Sequence, residues 1–107
     1  MFEIFKTSAG KFSFRLLAKN GQIILASQSY TSLEACEAGI ASVKANAGKP
    51  EQFQTKEAKD GSPYFVLVGE NGEIIGKSET YSSPAAAKNG IASVQTNSGG
   101  AIKNTIA

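Results

Sequence analysis

The sequence contains no histidine and only one cysteine, Cys36, among its 107 residues. The first absence removes the commonest general acid or base at neutral pH and the commonest transition-metal ligand. The second rules out an internal disulfide. Nine acidic residues are dispersed along the chain, and neither a metal-ligand spacing nor a paired-acid site can be read from them. No catalytic residue, metal or cofactor is therefore expected. Lysine and arginine total 11, for a net charge of +2, but they are scattered and form no basic stripe of the kind that follows a phosphate backbone. Nucleic acid is not an expected partner. No apolar run has the length needed to cross a bilayer. The start, Met1-Phe2-Glu3-Ile4-Phe5-Lys6, lacks the charged head and long apolar stretch of a secretion signal. A cytoplasmic location without membrane contact is the expectation.

What the chain does have is one unit written twice. A shift of 51 positions lays it on itself without a gap: Gly10 falls on Gly61, Asn20-Gly21 on Asn71-Gly72, Tyr30 on Tyr81, and Gly39-Ile40-Ala41-Ser42-Val43 on Gly90-Ile91-Ala92-Ser93-Val94. A unit of about 50 residues is near the size at which a lone core becomes marginal. The connector, Ala47-Gly48-Lys49-Pro50, is too short to tether two independent bodies. One compact domain over residues 1–107 is expected, with repeat one at 1–50, repeat two at 51–107, and a core shared between them.

Within each unit the hydrophobic period changes once. Phe12, Phe14 and Leu16 alternate with Ser13, Arg15 and Leu17, and Phe65 and Leu67 alternate with Tyr64, Val66 and Val68, which reads as a strand with one buried face. Each strand runs into Asn-Gly, at Asn20-Gly21 and Asn71-Gly72. This dipeptide suits a two-residue type I′ turn in which both central residues take positive φ, and returning strands follow from Ile23 to Tyr30 and from Ile74 to Tyr81. Upstream lie two more extended segments, Phe2 to Lys6 and the less apolar Phe53 to Lys56, ended by the turn residues Ala9-Gly10 and Asp60-Gly61. After each tyrosine the pattern becomes helical: Leu33, Cys36, Ile40, Val43 and Ala47 share one stripe, and Ala87, Ile91 and Val94 repeat its centre. Pro84 suits a first helical turn, making Ser83 the N-cap and Ser32 its counterpart, while Thr31 with Glu34 offers a capping box one residue earlier. Asn46 with Gly48, and Asn97 with Gly99, suit left-handed helix ends. In the tail, Ile102 and Ile106 are the apolar anchors for a last short strand or a frayed end. The expected fold is α+β: two tandem βββα units forming a single antiparallel sheet with two helices packed on one face.

The residues common to both copies are Asn20-Gly21, Ile23-Ile24, Ser27, Tyr30, Ser32, Ala35, Gly39 to Val43 and Asn46, answered by Asn71-Gly72, Ile74-Ile75, Ser78, Tyr81, Ser83, Ala86, Gly90 to Val94 and Asn97. This pattern closely resembles the YegP-like family, small bacterial proteins of unknown function built from one or two copies of the motif. The resemblance covers almost the whole chain. It departs at Leu33, where the second copy has Pro84, and at Glu34 and Cys36, where the second copy has alanines. It implies that a further strand completes each βββα motif, and that two motifs join into one sheet with swapped terminal strands. Because fusion supplies both halves at high effective concentration, it also implies a monomer that is its own internal pseudo-dimer. The resemblance brings no substrate, cofactor or catalytic residue.

Few residues stand out as functional candidates. Cys36 lies on the apolar stripe opposite Ala87, a core position and not that of an activated thiol. Gly39 and Gly90 sit inside helices, where glycine costs about 1 kcal/mol, and with Ser42 and Ser93 they form a small-residue stripe suited to close packing. Tyr30 and Tyr81 end a strand just before a helix cap. Either they bury their rings and tie their hydroxyls to a loop, or they line a groove together with Ser27, Ser78, Gln28 and Glu79. The uncovered sheet face, with Arg15, Leu17, Lys19, Val66, Val68 and Glu70, is a second surface for a peptide, a protein or another copy. The functional expectation is a small non-enzymatic binding or interaction module whose partner is a protein or a small ligand. The alternatives are a small enzyme or metabolite-binding protein acting through the Tyr/Ser groove and, more weakly supported, single-stranded nucleic-acid binding.

Overall fold

In a computed structural model, which describes residues 1–104, each strand and helix of the first repeat recurs 51 residues later in the second. The chain runs β1 (Phe2–Lys6), β2 (Phe12–Leu17), β3 (Ile23–Ala26), α1 (Leu33–Asn46), a single 3-10 turn (Pro50–Gln52), β4 (Phe53–Glu57), β5 (Pro63–Val68), β6 (Ile74–Lys77), α2 (Pro84–Asn97) and β7 (Ile102–Asn104). All strands join one sheet in the order β4-β5-β6-β3-β2-β1-β7, and both helices lie on the same face of it. Ile106 lies outside the described residues.

The halves meet where β3 and β6 pair antiparallel through Ala26 and Lys77. These two residues are each other's counterparts under the 51-residue shift, so a pseudo-twofold axis passes between them. Beside the axis stand Leu25 and its counterpart Gly76. Leu25 is fully buried, and a Cβ added to Gly76 would come within 2.8 Å of Leu25 Cγ. One leucine fills the space that two cannot share. The helices tie the halves further: α1 rests on β2 of its own repeat and on β5 and β6 of the other, while α2 rests on β5 and also on β2 and β3. A single core results, in which Phe2, Phe14, Leu16, Leu25, Cys36, Ile40 and Val43 pack with Phe65, Leu67, Ile75 and Val94. A register shift between Leu16 and Leu17, repeated between Leu67 and Val68, is a bulge of the kind that breaks strict alternation. It lets consecutive Ile24 and Leu25 both be buried.

The Asn-Gly hairpins are not two-residue type I′ turns. Lys19, Asn20 and Gly21 form a three-residue loop, closed by Gly21 N–H to Ala18 O and Ala18 N–H to Gln22 O, both 2.9 Å. Only the glycine takes positive φ, 83° at Gly21 and again at Gly72. The asparagine side chain is tied down locally instead, with Asn20 Oδ1 accepting from Gln22 N–H at 3.0 Å and Asn71 Oδ1 from Glu73 N–H at 3.1 Å. A turn followed by a left-handed glycine needs only that one glycine. The same closure recurs at Thr7 to Lys11 and Ala58 to Ser62.

The helices start as expected, with Ser32 Oγ accepting from Ala35 N–H and Ser83 Oγ from Ala86 N–H, each at 3.1 Å. Their ends differ from expectation. The closing residues Ala47 and Ser98 stay right-handed, and neither Gly48 nor Gly99 has positive φ. Asn46 and Asn97 do not adopt the left-handed cap because their amides are spent inside the last turn, donating to Ser42 O and Ser93 O at 2.8 Å each.

The sheet is mixed, not wholly antiparallel. After α1 the chain becomes β4 and pairs antiparallel with β5. The corresponding place on the first half, beside β2, is held by β1. The strand after α2 therefore lies one position further out and, running in the same sense as β1, pairs with it in parallel. The terminal strand does cross to the other repeat, displaced by one place because β1 occupies the position beside β2.

Because each helix roofs strands of both repeats, the fragments 1–49 and 50–107 should each lack cooperative melting as monomers and regain it when mixed, as circular dichroism would record. Gly76→Leu should cost about 1–3 kcal/mol through overpacking at the axis. Adding Leu25→Gly should return part of that loss in a urea-denaturation double-mutant cycle.

Candidate functional site

Tyr30 and Gly39, singled out separately in the sequence, belong to one contact. The main chain of Tyr30 bridges that of Phe12, with N–H to O distances of 2.6 and 2.8 Å. This sets the ring against Phe14, with centroids 6.2 Å apart and planes 14° from parallel. The hydroxyl end then lies over α1 at Gly39, where an added Cβ would be 2.5 Å from Tyr30 Oη and 2.9 Å from Phe14 Cε2. Tyr81 repeats the arrangement on Phe65, with centroids 6.0 Å apart and planes at 13°, and lies against Gly90 of α2. Its main chain makes half of the bridge, donating to Pro63 O at 2.8 Å, since Pro63 has no N–H to return. Burial pushes the Tyr30 hydroxyl above its ordinary pKa, followed by the neighbouring Cys36 and Glu73. Burial, followed by Glu79, does the same for Tyr81. Both are neutral phenols at pH 7.

Ser27 and Ser78 are occupied by the backbone. Ser27 Oγ accepts from Phe14 N–H at 2.9 Å and donates to Gln28 O at 2.8 Å, and Ser78 does the same with Phe65 and Glu79 at the same distances. The hydroxyl stands in for a strand carbonyl at the point where β3 and β6 leave the ladder. Cys36 is buried in the core. Burial, with Glu37 adding to it, pushes its thiol up and away from the thiolate form that nucleophiles need. Among the described residues no group of three His, Cys, Asp or Glu is placed to hold a metal ion, and no helix is long and apolar enough to cross a membrane.

A groove does form beside Tyr30, with a volume of about 660 Å³. One wall is α1, through Ala35, Ala38, Gly39, Ser42, Ala45 and Asn46. The other is the β5–β6 loop of the opposite repeat, through Glu70, Asn71, Glu73 and Ile74. Of the expected groove residues, Tyr30 and Gln28 line it, whereas Ser27, Ser78, Glu79 and Tyr81 are not among its lining residues. Glu70 at the rim is held ionised by Lys49 Nζ, which donates to its carboxylate at 2.9 Å. The groove's character is particular to one half. Ala38 and Ala45 correspond to Asn89 and Thr96 on α2, and Glu70 and Glu73 correspond to Lys19 and Gln22. That disagreement between the copies was the available sequence signal, and a search for shared residues passes over it.

A second cavity of about 510 Å³ lies between β4 and α2, lined by Pro50, Phe53, Thr55, Pro84, Lys88 and Ile91 among others. The face of the sheet away from the helices partly covers itself. Arg15 pairs with Glu3 and lies 4.7 Å from the centre of the Phe5 ring, Lys77 lies 4.8 Å from that of Tyr64, and Val66 and Val68 are buried.

Comparison with known proteins supports the double unit. The family described as a domain of unknown function, DUF1508, matches twice, at residues 8–53 and 58–103. The chain is 50% identical over 96 residues to the UPF0339 protein YegP of Yersinia pestis, covering 90% of this chain and 86% of that one. It is 44% identical over 96 residues to YegP of Escherichia coli, covering 90% and 87%. The solution NMR structure of E. coli YegP, titled a protein of unknown function, superposes with a TM-score of 0.92 at 41% identity over 97% of this chain and 90% of that one. The solution structure of a UPF0339 protein from Shewanella oneidensis gives 0.91 at 41% identity over 96% and 88%.

Gly39→Ala should lower the melting temperature even though alanine is the better helix former by about 1 kcal/mol, because the new methyl would meet Tyr30 and Phe14. Tyr30→Phe alone should leave melting nearly unchanged and should recover part of the loss in the Gly39→Ala background. Thermal denaturation of the four proteins checks this, and a Gly39→Ala protein melting at or above the parent would contradict the contact.

Proposed function

The chain belongs to the DUF1508 family, carrying the domain twice, and from that premise we propose that it is a non-enzymatic binding module, working as one chain that is its own pseudo-dimer. Its site is the groove between α1 and the β5–β6 loop, and its ligand presents a cationic group, an amine or guanidinium, on an apolar stem. The groove itself carries this reading: small residues and the Tyr30 ring form its walls, and Glu73 is among its lining residues, with Glu70 at the rim paired to Lys49. Concave, largely apolar surface with a few converging polar groups is the usual form of a small-ligand site. Further support comes from the serines and tyrosines, whose hydroxyls are bonded to backbone or held as neutral phenols, an arrangement suited to holding shape.

The second repeat provides the control. Ala38→Asn with Ala45→Thr gives α1 the side chains that α2 already carries at the same positions, at a helix-propensity cost of under about 1.5 kcal/mol. Agmatine is expected to raise the melting temperature of the parent, as a ligand specific for the folded state does, with less effect at high salt. Citrate should give no shift, and the doubly substituted protein should not respond to agmatine. An equal response from both proteins, or none from the parent, would remove the groove as the site.

A further inference from the structure

β1 and β4 are the same strand in two copies, and among the described residues only β1 has its outer edge covered. β7 lies parallel along β1, with Phe2 opposite Ile102, Glu3 opposite Lys103 and Ile4 opposite Asn104. Phe2 N–H donates outward to Ala101 O at 2.8 Å. Among the described residues β4 pairs on one side only, with β5, and ends the sheet. Its first outward group, Phe53 N–H, is turned back to Pro50 O by the 3-10 turn. Beyond that point the register puts the N–H groups of Thr55 and Glu57, the counterparts of Ile4 and Lys6, on the free edge. Gln54 to Glu57 are exposed.

The cavity of about 510 Å³ adjoins this edge on the helix side. In the first copy the chain fills the same region itself: Ile4, 1% exposed, stands where the second copy has Thr55, and Leu33 stands where it has Pro84. The second copy has lost apolar bulk at both positions. An open strand edge beside a side-chain pocket is the pattern of strand addition, in which the main chain supplies affinity and alternate side chains supply selectivity.

We infer that the β4 edge is a docking site for an extended segment of a partner protein, lying parallel to β4 as β7 lies along β1, with an apolar side chain seated against Phe53 and Ile91. Residues of the incoming strand two apart point to the helix side, and the segment carries an apolar residue opposite Phe53, as β7 carries Ile102 opposite Phe2. A second copy is the weaker occupant. The segment of this chain that has the right form, β7, is already paired with β1, and moving it would bare one edge to cover another.

The probe is the capped peptide Gly-Ala-Ile-Lys-Asn, the sequence of residues 100–104, titrated into the ¹⁵N-labelled full chain. Saturable amide shifts are expected at Thr55, Glu57 and Ile91, with the sedimentation coefficient unchanged. Thr55→Pro deletes an edge N–H that the β4–β5 ladder does not use, a place where proline is tolerated, and should weaken binding roughly tenfold or more without lowering the melting temperature. If that variant fails to fold, the peptide carrying Ile102→Asp, titrated into the parent, should show the same loss. Shifts confined to Phe2–Lys6, the absence of any shift, or concentration-dependent dimerisation through β4 would each overturn the inference.

Discussion

Each helix of this protein is roofed over strands that belong to the other repeat, and the rest of the structure depends on that sharing. An apolar stripe such as Cys36, Ile40 and Val43 needs a floor to bury against, and a unit of about 50 residues offers too little of one. α1 finds its floor on β2, β5 and β6. The β3–β6 pair, with only Ala26 and Lys77 in register, is a short seam, so the helices above it and the single core beneath them hold the halves together.

Covalent fusion changes what such a seam can be. On the axis of a true homodimer the same residue must meet itself, whereas here Leu25 meets Gly76 and one side chain fills the space for both. Fusion allows the copies to drift elsewhere too. Phe12 and Pro63 differ, so one tyrosine is bridged through both of its main-chain groups and the other through one. Ala38 and Asn89 differ, so the walls of the groove have no matching pair on the other helix. Ile4 and Thr55 differ, so one strand edge is packed and the other adjoins a cavity. The positions that agree, by contrast, serve architecture: Ser27 and Ser78 close the ladder, and Tyr30 with Gly39 and Tyr81 with Gly90 set the helices at close range.

Chain order accounts for the one departure from symmetry in the topology. Two strands compete for the place beside β2, the N-terminal β1 and the strand that follows α2. β1 takes it, and β7 can add only outside, in the sense its helix delivers it. Among the described residues no segment does the same at β4, which leaves the two ends of one sheet chemically unlike.

The order of elements, the helical stripes and the N-caps at Ser32 and Ser83 were legible in the residues, because they rest on period, spacing and local hydrogen bonding within a few positions, whereas the pairing of repeats about an axis was implied by the family resemblance. The hairpin turns were legible as turns but not in type, since Asn20 and Asn71 commit their side chains to a neighbouring N–H and leave the positive φ to glycine alone. The helix ends were misread for the same reason, the asparagine amides being drawn back into the last turn. Tyr30 was legible as a residue of interest, yet its partners were not: Gly39 lies under its hydroxyl, while Glu70 and Glu73 come from the other repeat, more than 35 positions away. The sequence by itself determined that one unit occurs twice and which residues each unit spends on its own framework. Only the tertiary structure decided which strand edge is covered and where a groove opens, because those depend on which segment occupies a shared place and on side chains brought together from both copies.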